Sequence, residues 1–127
     1  MNAMAYLQSQ RIRIIARPKR FWPGEHWGVQ LSDGRVIHLT LEGVFLINLD
    51  VFLEGKKLRE VRLADPCRNP QIMWRVTEAL RSPPRYRFAD QNCETFANQL
   101  LGDPPDSPQA TGVALIALIA LFVKAAS

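Results

Sequence analysis

Reactive side chains are scarce in this chain of 127 residues, which holds two cysteines, two histidines and two tyrosines. Cys67 and Cys93 form no CxxC pair and have no His/Cys ligand spacing around them, which excludes a sequence-defined zinc site. The N-terminal MNAMAYLQSQ has no apolar stretch ahead of a small-residue cleavage site, so it does not read as a secretory signal. The expectation is a cytosolic protein whose two cysteines stay thiols rather than forming a disulfide. No internal repeat is visible, and the length suits one domain with no room for a second catalytic one.

The hydrophobic content of 47% suffices for a modest core, and the net charge of +4 is unevenly placed. Arg11, Arg13, Arg17, Lys19 and Arg20 all precede the first acidic residue, Glu25. Alternation of Arg11 and Arg13 with Ile12 and Ile14 reads first as the solvated face of a half-buried strand. An anionic lipid surface is the second reading of this basic flank. Nucleic acid is disfavoured, because no aromatic-interleaved RNA motif accompanies the charges.

The pattern along the chain predicts an α+β domain over residues 1–102, with a small antiparallel sheet packed against helices. A strand is expected from Arg11 to Ala16, another within Glu42 to Val51 with a turn at Asn48 to Asp50, and a third over Lys57 to Leu63. Asn69 is placed to cap a helix in which Ile72, Met73, Val76 and Leu80 recur at helical spacing, up to Ser82 and two prolines. Tyr86 to Phe88 reads as short and extended. Asn92 then caps a helix opened by Cys93 and ended by Gly102, with a linker over 103–111 and a hydrophobic helix over 112–127.

Both histidines fall in one stretch, HWGVQLSDGRVIHL, and the hairpin register decides whether they share a face. A two-residue Asp33-Gly34 turn would pair His38 with Val29 and leave both faces mixed. A three-residue loop, Ser32 to Gly34 with Gly34 in the left-handed position, pairs His38 with Gly28 and segregates the faces. Trp27, Val29, Leu31, Ile37, Leu39 and Leu41 then form an apolar side. His26, Gly28, Gln30, Val36, His38 and Thr40 form the other, where Gly28 removes a side chain that would crowd the imidazoles. A metal would need a third ligand, and Asp33 lies in the turn rather than on that face.

Cys93 at the first position of a helix lies beside unpaired amides and the positive end of the macrodipole, which favours thiolate. The same helix buries Phe96, Ala97, Leu100 and Leu101. Cys67, between Pro66 and Asn69, lacks such a setting and reads as structural.

HWGVQLSDGRVIHL and NCETF together resemble the histidine block and the NCEHF block of the lecithin:retinol acyltransferase-like proteins, which include small phospholipase/acyltransferases. Tyr86, seven residues before Cys93, also falls where that family places a tyrosine. The likeness covers roughly His26 to Gly102, although only the two blocks are specific. It implies a circularly permuted, papain-like fold of the NlpC-like thiol hydrolase superfamily. It also implies Cys93 as nucleophile, His26 as general base and His38 as the orienting second histidine. The backbone amide of Cys93 would serve as an oxyanion donor, with no cofactor and no metal. The chain departs from the family at Thr95, where a histidine is usual, in a short segment between His38 and Cys93, and in lacking the Gly-Asp near the domain start.

The implied chemistry passes through a thioester: the thiolate attacks an acyl ester of phospholipid type, and water or an acceptor then releases the acyl group. The alternatives are an NlpC-like amidase or peptidase, and a membrane-associated binding protein without turnover. Gly112 to Val123 is an unbroken apolar run that would span about 18 Å as a helix, short of a bilayer core. It suits a membrane-associating tail first and a helix buried against the domain second. Oligomeric state is left open by the sequence.

Overall fold

A computed structural model describes residues 11–21, 23–88 and 91–104. The expected tail over 112–127 and most of the expected linker lie outside these residues. Five strands, β1 (Arg13–Pro18), β2 (Glu25–Gln30), β3 (Val36–Thr40), β4 (Gly43–Ile47) and β5 (Arg59–Leu63), form one antiparallel sheet in the order β4-β3-β2-β1-β5. Among the described residues three helices accompany it: α1 (Leu49–Leu53), α2 (Asn69–Arg81) and α3 (Cys93–Leu101). The α+β class and the antiparallel sheet are those the alternating and helical periodicities predict. Among the described residues no helix is long and apolar enough to cross a membrane.

The main core lies between one sheet face and helices α2 and α3. Ile12, Ile14, Ala16, Trp27, Val29, Ile37 and Leu39 meet Ile72, Val76, Phe96, Ala97, Leu100 and Leu101 there. Alternation sends every second strand residue to this face, which is why β1 to β3 each contribute at period two. The opposite face carries a smaller cluster of Ile15, Val36 and Phe52, with Ile47, Leu49, Leu53 and Leu58 packed around it.

Phe52 belongs to α1, where the sequence pattern calls for a turn over Asn48 to Asp50. Asn48 is instead the extended residue ahead of the helix, and the short apolar run through Leu53 is one whose strand and helix periodicities coincide. The first strand starts and ends two residues later than expected, through Pro18 at its exposed end. Asn69 lies inside α2 rather than capping it; Asp65 caps a preceding 3₁₀ turn (Pro66–Arg68) by accepting the Cys67 amide at 3.0 Å. Within α2, Ile72 and Val76 are buried, whereas Met73 and Leu80 are exposed. The segment around Tyr86 to Phe88 forms no strand of the sheet; Arg87 makes an isolated bridge with Gln91, and Tyr86 packs against the main core.

Of the five basic residues near the N-terminus, three are drawn into the fold. Arg11 donates to the Ala64 carbonyl, Arg13 to Gln30 and Glu60, and Arg17 is buried. Arg11 and Arg13 nonetheless alternate, partly exposed, with the fully buried Ile12 and Ile14, as the half-buried strand reading expects.

Candidate active site

The hairpin adopts the register that a three-residue loop demands. Val29 pairs with Ile37 and Gln30 with Val36, Leu31 N–H donates to Arg35 at 2.8 Å, and Gly34 sits at φ +92°. Both imidazoles consequently share a face, and His26 Nε2 lies 2.7 Å from His38 Nδ1. Leu41, expected on the apolar side, is instead exposed beyond the end of β3.

Phe52 is the floor of this pair: its ring centroid lies 5.5 Å from that of His26 and 5.6 Å from that of His38. Gly28 is required by the same ring. A Cβ there would stand 2.6 Å from Val36 Cγ1 and 2.8 Å from Phe52 Cε2, so the crowding partner is Phe52 together with Val36 rather than the imidazoles. Arg17 is directly opposite His26 in the β1–β2 register. Its guanidinium donates to the Phe52 carbonyl at 2.6 Å and to that of Pro18 at 3.1 Å, and meets Glu54 at 3.3 Å.

Burial in this apolar and cationic setting keeps both rings neutral. Desolvation, followed by the charges of His38, Arg17 and Lys19, pushes His26 down to about 3. Desolvation and Arg17 likewise lower His38 to about 4, against a smaller upward pull from Glu54.

The β2–β3 ladder comprises only the two pairs nearest the loop, so the ends carrying the histidines part. Amides of one strand point alternately to either side, and since that of Leu31 points to β3, that of Trp27 does too. It meets the Cys93 sulfur there. The opening between the strands thus lets a thiol from the helical side of the sheet reach a cavity shared with histidines of the opposite face. That cavity, of about 650 Å³, is lined by His26, His38, Cys93, Tyr86, the cations Arg17, Lys19 and Arg20, and an apolar wall that includes Leu39, Phe45 and Ile47.

Helix α3 begins as the sequence predicts. The Asn92 side chain accepts from the amides of Glu94 and Thr95, each at 3.0 Å, and the Asn92 carbonyl accepts from Phe96. Thr95 Oγ1 in turn accepts from the Asn92 amide at 2.8 Å, closing a capping box. The residue at which the chain departs from the NCEHF pattern therefore has a definite local task. None of these caps takes the amide of Cys93 itself.

The thiolate expected from this position is not favoured. Cys93 is buried, and desolvation raises its pKa despite the opposing influence of the Trp27 amide and the Lys19 charge. The helix terminus supplies only a partial charge, and removal from water outweighs it. Burial also raises Tyr86, with further upward contributions from Cys93 and Glu94. Cys67 is exposed rather than a packed structural residue, and both thiols are free.

Sequence reasoning thus brings Cys93, His26 and His38 to one cavity but misses Arg17, Lys19 and Phe52. Arg17 and Lys19 carry no signal separating them from the other cations of the flank, and Phe52 is hidden in a run that reads as strand. Among the described residues no three His, Cys, Asp or Glu side chains group as metal ligands. No protein-family model matches the chain, and no curated protein matches it.

Proposed function

We propose that the protein is a cysteine-dependent acyl hydrolase or acyltransferase acting on phospholipid or a similar acyl ester, in a permuted, papain-like arrangement. One observation carries this reading: a hydrogen-bonded histidine pair and a helix-initial cysteine line a single cavity with an apolar wall.

With a protonated thiol and neutral imidazoles at rest, attack on an ester carbonyl is coupled to proton transfer rather than launched from a stored ion pair. His26 takes the Cys93 proton on Nδ1, the nitrogen its partner leaves available. Its Nε2–H then donates to His38 Nδ1, which holds the ring in place and supports the new imidazolium. Sulfur bonds to the carbonyl carbon, the carbonyl electron pair moves to oxygen, and the Cys93 amide serves as a donor to that oxyanion. Collapse expels the alcohol, which receives the proton from His26, and leaves a thioester that water or an acceptor cleaves. The wall of Leu39, Phe45 and Ile47 is suited to an acyl chain, which favours an ester of this kind over a peptide.

Incubation with a labelled diacyl phospholipid followed by intact-mass analysis tests the reading. A mass gain of one acyl chain is expected, absent in Cys93→Ala. His26→Ala should lower turnover by about 10²–10⁴-fold and His38→Gln by less. The absence of both an adduct and fatty-acid release at every pH between about 6 and 9 would overturn the assignment.

A further inference from the structure

The rim of the cavity is built from side chains that water does not favour. Phe21 in the β1–β2 loop and Leu41 in the β3–β4 turn are 83% and 84% exposed, and Phe45 and Val51 are exposed beside the same opening. Single exposed apolar residues need no explanation, but these converge on one mouth. Phe21 joins them through Arg20, whose guanidinium carbon lies 5.7 Å from its ring centroid.

Cations stand just behind these apolar tips. Lys19 and Arg20 line the mouth, and Lys56 donates to the Pro18 carbonyl next to them at 3.2 Å. Of the two acids lining the opening, Glu54 is engaged by Arg17 and Arg20 at 3.3 and 3.7 Å, and Glu42 follows Leu41 in the lining. Lys19 has no ion pair among the described residues; its backbone amide, donating to Gly24 at 3.0 Å, holds the loop in place.

Exposed aromatic and aliphatic tips backed by lysine and arginine are the chemistry of interfacial binding. The apolar groups enter the headgroup boundary while the cations meet anionic lipid. We infer that this rim docks on an anionic bilayer surface and sets the cavity mouth against it. The charge complementarity selects a lipid sheet over a neutral apolar partner. The inference rests on the acyl-ester reading in one respect, that docking would let an acyl chain enter the cavity without crossing water.

An environment-sensitive dye at position 21 tests this, attached through Phe21→Cys in the full chain that also carries Cys67→Ser and Cys93→Ala. Vesicles of phosphatidylcholine alone are compared with vesicles containing roughly one-third phosphatidylglycerol. The expected result is a blue shift on the anionic vesicles, reversed by added salt. Lys19→Gln with Arg20→Gln should weaken that binding at least roughly fivefold, as loss of two membrane-facing charges implies. No dye response on either vesicle would overturn the proposal, even if the C-terminal run carries the protein into the vesicle pellet. A shift that instead follows protein concentration without lipid would overturn it in favour of a second copy of the chain. Because residue 93 is alanine in this assay, docking is read without turnover. Acylation without docking, or docking without acylation, therefore tells which of the two readings has failed.

Discussion

At the scale of single residues, the neutrality of His26 and His38 ties the candidate site to folding stability. Each ring is held neutral by burial down to about 3 and 4 respectively, whereas an unfolded histidine takes up a proton near 6.5. Their contribution is therefore complete above about pH 6.5 and is lost as the pH falls toward 4 and then 3, because the unfolded state binds the extra protons first. Thermal melts at successive pH values should show the melting temperature declining through that window, with a shallower decline in His26→Gln. Identical slopes would remove the histidine pair as the cause. The same neutrality explains why a thiol proton can be accepted at all, since an imidazolium at rest has no lone pair to offer.

Among the elements, α1 has an influence out of proportion to its five residues. Phe52 closes the second core, supports both imidazoles and fills the space that Gly28 leaves open. Gly28→Ala is expected to destabilise by about 1–3 kcal/mol through overpacking against Phe52 and Val36. In a Phe52→Leu background the same substitution should cost less, with a coupling of about 0.5–3 kcal/mol in a double-mutant cycle of denaturant midpoints. Strict additivity would show that Gly28 answers to something other than this ring. The capping box of α3 shows the opposite case, an element whose start was legible because Asn92 satisfies its amides locally.

On the scale of the whole molecule, Arg17 couples the sheet to α1 and the site to both. Arg17→Met should destabilise the protein by about 1–3 kcal/mol, since the buried Phe52 carbonyl loses its 2.6 Å donor. It should also raise both histidine pKa values, measured by NMR titration of the ring nitrogens, because a cation disfavouring imidazolium is gone. Unchanged titrations would confine Arg17 to a structural part. The sequence by itself determined the α+β class, the hairpin register, the face shared by His26 and His38, and the capped start at Cys93. Alternation, loop length and capping are local, so neighbouring residues suffice to encode them. Only the tertiary structure decided that β2 and β3 part beside the thiol, that Phe52 underlies the imidazoles, that Arg17 faces His26, and that Cys93 rests as a thiol. Each of these depends on segments far apart in the chain excluding water from one another, and desolvation is a property of the assembled site rather than of any residue in it.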